Sequence, residues 1–350
     1  MDELLKQRKD HHIDIVLDHA VASHGAATGL GGWRLEYDGL PEIDFEAVDL
    51  SVEILGKTLR APICIGAMTG GTDRAAEINH TLARAAARTG VGMALGSQRA
   101  MLEHPETVAS FDVRRSAPDL ALLFGNVGAV QLNYGVGLEQ MEELVSRVGA
   151  DVLNVHLNPL QEVIQPEGDT RFSGLLDQLM EVVPRLSVPV VVKEVGAGIS
   201  ARTADKLVKL PIAGVEVAGT GGTSWAAVES HRADGHPERA RAGQLLAGFG
   251  VPTADAIQIC RERFADRLVI GSGGIKTGMD MAVALALGAD LVCSARPFLQ
   301  AAMHGEDAVV AEIEALIFEL RAIAFCTGIT TAREFRQVAV CPPMQHWASR

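Results

Sequence analysis

Residues 268–297 read LVIGSGGIKTGMDMAVALALGADLVCSARP. Two short apolar runs, Leu268–Gly271 and Leu291–Cys293, flank an Ala/Leu-rich helical stretch, Met279–Leu287, that Gly288 stops. Near-continuous Val, Ile and Leu marks a strand buried on both faces, the condition of a parallel sheet. The segment therefore predicts one strand–helix–strand crossover. Its strands end in small polar loops, Gly271-Ser272-Gly273-Gly274-Ile275-Lys276 and Ser294-Ala295-Arg296-Pro297.

The same alternation recurs upstream, with apolar runs at Ala61–Gly66, Val91–Leu95, Leu120–Phe124, Val152–His156, Val188–Lys193 and Gly214–Val217. After the first, Ala75, Ile78, Leu82, Ala85 and Ala86 repeat at helical spacing. Thr72 or Asp73 can cap that helix and Gly90 can end it. Eight strands, each with a crossover, predict an α/β fold of the (β/α)8 TIM barrel type. The competing doubly wound sheet needs a GxGxxG turn after its first strand, where this chain has Met68-Thr69-Gly70-Gly71. The barrel is expected over 48–330, with an N-terminal extension over 1–47 and a tail over 331–350. The charged stretch Ser224–Gly250 is too long for a simple connection. It predicts an insertion after strand six, above the barrel mouth.

The 350 residues are 48% hydrophobic, enough for a sizeable core, and only 4% aromatic, which suits Ala/Val/Leu-packed α/β layers. Lys and Arg total 31 against 44 Asp and Glu, a net charge of −13. That balance argues against nucleic acid and anionic membrane as partners. A small anionic substrate is admissible only where a few cations gather. No secretory leader is evident at the N-terminus, and no apolar run approaches the ~20 residues of a membrane helix. The five cysteines are Cys64, Cys260, Cys293, Cys326 and Cys341, with no CxxC pair. They predict no disulfide framework or structural zinc and fit the cytoplasm.

In a barrel, chemistry sits where the strands end. Glycines after strands seven and eight let backbone N–H groups approach an anion, and Arg296 adds a charge-assisted fork, which predicts a phosphate site. Gly219-Thr220-Gly221-Gly222-Thr223 after strand six is a similar loop. Lys193 ends an apolar strand and needs an anionic partner, either a ring or a phosphate. Strand four ends with His156, Asn158, Gln161 and Glu162, where the carboxylate can hold Mg²⁺ together with substrate phosphates. Asn126, Ser97, Gln98, Arg99, Met68 and Thr69 complete a polar mouth. Lys6, Arg8, Lys9, His11 and His12 form a basic patch. We expect it to be a polar flap with few apolar anchors, ordered only when a diphosphate arrives.

Taken together, Arg8-Lys9 with His12, Met68-Thr69-Gly70-Gly71, Ser97-Gln98-Arg99, His156 through Glu162, Lys193-Glu194, Gly221-Gly222-Thr223, Gly273-Gly274 and Ala295-Arg296 resemble the type 2, FMN-dependent isopentenyl diphosphate isomerases. The resemblance runs over essentially the whole chain. It implies FMN, Mg²⁺, NADPH as reductant, and a homo-oligomer of four or eight copies. By position it assigns FMN to Ala67, Met68, Thr69, Ser97, Asn126, Lys193, Thr223, Gly274, Ile275, Lys276, Ala295 and Arg296. It assigns the diphosphate substrate to Arg8, Lys9, His12, Ser97, Gln98, Arg99, His156, Asn158 and Gln161, and the metal to Glu162. The implied reaction moves a double bond by adding a proton at one carbon and removing one from another. Cys64 and Cys293 fall inside strands, so no cysteine is expected at a strand end to act as the acid. Reduced FMN is then the expected acid/base.

Two other readings share parts of this pattern. An FMN oxidoreductase of a small acid or nucleotide would use the same phosphate loops, but has no need of Arg8-Lys9 or of His156–Glu162. A non-catalytic flavin sensor leaves Arg99, Gln161 and Glu162 without a purpose.

Overall fold

The computed structural model describes residues 3–18, 21 and 26–342, and of residues 3–8 the backbone alone. Eight parallel strands close into a barrel. They are β1 Ile63–Ile65, β2 Gly92–Ala94, β3 Leu123–Gly128, β4 Val152–Leu157, β5 Val190–Glu194, β6 Gly214–Glu216, β7 Leu268–Gly271 and β8 Leu291–Ser294. Val292 of β8 pairs with Ile63 of β1, and Leu268 of β7 with Gly214 of β6, which closes the ring. β3 and β4 therefore stand across the barrel from β7 and β8. The Val, Ile and Leu runs are buried on both faces, as the crossovers require.

The first crossover helix, Asp73–Thr89, forms as its sequence dictates. Thr72 Oγ1 accepts from Ala75 N–H at 3.1 Å, and Gly90 takes φ +71° to end it. Ala75, Ile78, Leu82, Ala85 and Ala86 form its buried face. Burial of Leu82 alone contributes about 2 kcal/mol. The third strand differs from expectation, spanning 123–128 rather than 120–124. Asp151 accepts from Leu123 N–H at 2.9 Å, and the register Phe124↔Val152 to Gly128↔His156 draws Gly125, Asn126 and Gly128 into the ladder. Pairing with β4 overrides their poor strand propensity.

After β6 the insertion folds as two helices, Trp225–Ser230 and Pro237–Leu245. The N-terminal segment is a helix, Glu3–Asp18, with more apolar anchoring than the expected polar flap. Ile13 and Ile15 are buried, and Ile15 packs with Val21, Val228 and Ala247 of the insertion. Thr72 Oγ1 donates to Asp10 at 2.7 Å, tying the helix to the loop after β1 as well. The strand Val340–Cys341 pairs antiparallel with Arg34–Leu35. Among the described residues no helix is long and apolar enough to cross a membrane.

Candidate active site

A cavity of about 300 Å³ opens where the strands end, lined from all eight strand ends and from helix Glu3–Asp18. Lys9, Arg99, Lys193, Lys276 and Arg296 line it against two carboxylates, Glu162 and Glu216. In a chain of net −13 this is the local gathering of cations that an anionic ligand demands.

On the β6–β8 side the wall is bare backbone. Gly274 has φ +70°, and a Cβ there would lie 2.6 Å from Gly221 O. A Cβ on Gly222 would lie 2.4 Å from Gly274 N. Thr253 Oγ1 donates to Gly273 O at 2.7 Å, and Ser294 Oγ to Ile275 O at 2.8 Å, which fixes the loop after β7. With Thr223, Ile275, Lys276, Ala295 and Arg296 also lining the cavity, this cradle fits the phosphate of FMN.

Between this cradle and the far wall lie Ala67, Met68 and Thr69. Lys193, only 6% exposed, donates to Glu194 O at 2.7 Å, and its Nζ is 3.5 Å from Glu216 Oε1. Ser272 Oγ donates to the same Glu216 oxygen at 2.9 Å. Glu194 turns away from the cavity. Its Oε2 accepts from the N–H groups of Val195, Gly196, Ala197 and Gly198 and clasps that loop.

The β2–β4 side is a second polar wall. Lys9 Nζ donates to Ser97 O at 3.3 Å. Arg99 donates to Asp169 at 2.5 Å. His156 Nδ1 lies 2.9 Å from Asn126 Oδ1. Burial, then the charges of Lys193, Arg99 and Lys9, push the His156 imidazole down to about 3, so it is neutral. Glu162 is buried. Asn158 donates to its Oε1 and Asp169 N–H to its Oε2, both at 2.7 Å. Burial raises its pKa against those two hydrogen bonds. Among the described residues no three His, Cys, Asp or Glu groups could hold a metal alone. One oriented carboxylate fits Mg²⁺ only in the form that arrives with substrate phosphates and water.

Two placements depart from the sequence reading. Gln98 is fully buried and does not line the cavity. Its amide donates to Leu144 O at 3.2 Å and accepts from Asn126 N–H at 2.7 Å, so the side chain braces β3. Cys293 lies within β8 yet lines the cavity; its contact with Cys64 and its burial raise its pKa well above the usual thiol range, leaving a neutral thiol. The side chain of Arg8 lies outside the described residues.

Sequence reasoning also missed Glu229, on the inserted helix. It is wholly buried, accepts from Gln161 Nε2 at 3.0 Å and from Arg232 at 2.5 Å, and lies 3.0 Å from His12 Nε2. Burial alone would raise its pKa, but His12, Arg232 and Gln161 hold it down to about 2. His12 also meets the Trp225 ring edge-on, with centroids 5.2 Å apart. The buried Glu is visible in the sequence only as one of many charges in the insertion.

Residues 152–342 match the FMN-dependent dehydrogenase family model. Among solved structures, a mandelate oxidase variant carrying an FMN adduct superposes with a TM-score of 0.68 at 18% identity, covering 94% of this chain and 95% of that one. A flavocytochrome b2 variant gives 0.68 at 18%, covering 95% and 82%. Barrel, cradle and family model together define a flavoprotein of the FMN-dependent (β/α)8 class, with FMN as its cofactor. Full-length relatives are more specific. The chain is 48% identical over 339 residues to an isopentenyl-diphosphate delta-isomerase of a Synechococcus species, covering 97% of both. It is 46% identical over 334 residues to one from Stutzerimonas stutzeri, covering 95% of this chain and 96% of that one. The chain is an enzyme and belongs to the isopentenyl-diphosphate delta-isomerase family.

Proposed function

We propose that the enzyme interconverts isopentenyl diphosphate and dimethylallyl diphosphate, using reduced FMN and Mg²⁺, with NADPH as the reductant. The observation that carries this is the presence of two anion-binding walls in one cavity. The glycine cradle of β6–β8 serves the FMN phosphate. Lys9, Arg99 and Glu162 on the opposite side have no use for that phosphate and suit a Mg²⁺-bound diphosphate. An oxidoreductase of a small acid would need a cation for the substrate carboxylate but has no use for Glu162 beside it.

Reduced FMN, when bound, supplies an electron-rich face and proton-carrying ring atoms beside the alkene. The chain supplies orientation and charge. Arg99 and Lys9 bind the diphosphate. Glu162 holds the metal in a carboxylate already oriented by Asn158 and Asp169 N–H. Gln161 is locked, with its Oε1 accepting from Asn158 at 3.2 Å and its Nε2 donating to Glu229. Neutral His156 binds without adding charge beside a cation-like state. Helix Glu3–Asp18 shields the mouth from water. The reading extends to a homo-oligomer of four or eight copies, supported by exposed Leu245, Phe249 and Phe318, and to the cytoplasm, supported by five cysteines spaced without a CxxC pair.

The test is turnover of isopentenyl diphosphate by flavin-loaded protein under anaerobic conditions, followed by proton NMR. Dimethylallyl diphosphate should form only when NADPH and Mg²⁺ are both present. An inert reduced, Mg²⁺-loaded enzyme would overturn the reading.

A further inference from the structure

Arg99 and Glu162 stand on short helices, Arg99–Glu103 and Pro159–Ile164, that follow different strands, yet one turn joins them. Asp169 Oδ2 accepts from Arg99 Nη1 at 2.5 Å and from Gln131 Nε2 at 2.9 Å. The backbone N–H of the same residue donates to Glu162 Oε2 at 2.7 Å. The turn has little freedom. A Cβ on Gly168 would lie 1.8 Å from Glu162 O, so only glycine lets the chain pass that close. Downstream, Asn133 Nδ2 donates to Arg171 O at 2.7 Å and Ser173 O at 3.0 Å, and the Arg171 guanidinium lies 4.2 Å from the Tyr134 ring centroid. Both flanks of Asp169 are therefore anchored.

We propose that Asp169 is a positioning residue for the diphosphate, aiming the Arg99 guanidinium into the cavity while its backbone sets the Glu162 carboxylate. The inference rests on the diphosphate reading of this wall. An aspartate beside an arginine can act in the opposite sense, competing with the incoming anion. Two observations decide the sign. Arg99 and Gln131 line the cavity but Asp169 does not, so its carboxylate stands behind the guanidinium and not where a phosphate would sit. It also engages Arg99 through Nη1 while Gln131 shares the same oxygen, so the pair is a fixed brace and not a fork–fork pair that a phosphate must break. A guanidinium already held in one rotamer loses less freedom when the ligand arrives.

The experiment titrates inorganic pyrophosphate with Mg²⁺ into flavin-loaded wild type, Asp169→Asn, Arg99→Ala and the double variant by calorimetry. It adds KM and kcat for isopentenyl diphosphate. Asp169→Asn should weaken pyrophosphate binding and raise KM by about tenfold, with kcat and melting temperature little changed. In the Arg99→Ala background the same change should have almost no further effect on affinity, because the two act as a unit. Wild-type binding with an equal or tighter Asp169→Asn variant, or with additive effects in the double variant, overturns this inference alone. No pyrophosphate binding by wild type overturns the diphosphate reading and this inference with it. Should Asp169→Asn lose its flavin, Asp169→Glu is read in its place. It keeps the charge but displaces it, so unchanged pyrophosphate affinity there is equally fatal.

Discussion

His156 Nδ1 lies 2.9 Å from Asn126 Oδ1, while Asn126 Nδ2 donates to Leu95 O at 2.9 Å. The backbone carbonyl fixes which end of the amide faces the histidine, so His156 must donate from Nδ1. A neutral ring with its proton on Nδ1 then leaves Nε2 as an acceptor. Nitrogen-15 spectra of labelled protein should show this tautomer from pH 5 to 8. A His156 imidazolium at pH 6 would contradict the burial argument.

The same burial makes stability depend on pH. His156 sits near 3 in the fold against 6.5 when unfolded, so the unfolded chain binds the extra proton between those values. Stability should be complete above about 6.5 and fall as pH drops towards 3. Glu229, near 2 in the fold against 4.5, adds a further loss below 4.5. Urea unfolding at successive pH values should show both slopes, and His156→Asn should flatten the first. A variant with the wild-type slope between pH 6.5 and 4.5 would remove His156 from the account.

Gly274→Val tests the phosphate cradle. The added Cβ would meet Gly221 O at 2.6 Å in a backbone conformation of φ +70°, and strain of this kind costs of order 1–3 kcal/mol. Flavin content after purification should fall about tenfold or more, with the far-ultraviolet circular dichroism retained. Full flavin content would move the phosphate elsewhere.

How far the sequence could be read depends on which forces were local. The β/α alternation is local, and Leu268–Arg296 alone displays it. The third strand was misplaced because Gly125, Asn126 and Gly128 owe their strand geometry to pairing with β4, which no local pattern records. Gln98 is set apart from its neighbours Ser97 and Arg99, which line the cavity, because the turn at the end of β2 sends the middle side chain inward to Leu144. Ile13, Val16 and Leu17 at i, i+3 and i+4 carry a helix signal just past the charged patch of the N-terminal segment. Glu229 and Asp169 act through partners distant in sequence, and only the folded chain reveals them.

Removing residues 1–12 probes the N-terminal helix. The deletion leaves the anchors Ile13 and Ile15 but takes away Lys9 and His12, two residues of the cavity wall. KM should rise and kcat should fall, each by about tenfold or more if both charge and water exclusion are lost. Flavin content should stay near that of wild type, since the cradle lies across the barrel. A truncated enzyme with ordinary kinetics would leave the helix no part in the reaction.

The pair Lys193 and Glu216 leads to a prediction about the cofactor itself. Their charged atoms are 3.5 Å apart, both residues are nearly inaccessible, and both line the cavity. Glu216, itself held by Ser272, offsets the lysine's field. Glu216→Gln keeps the shape and removes the opposing charge. The ammonium would then act on the flavin uncompensated and favour the reduced, more electron-rich form. The midpoint potential of the bound flavin should rise by on the order of tens of millivolts, given the effective dielectric of such sites. Lys193→Met should shift it the other way. Xanthine oxidase-coupled dye titration reads both without relying on turnover. Equal potentials in wild type and Glu216→Gln would mean that the carboxylate only packs the strand ends.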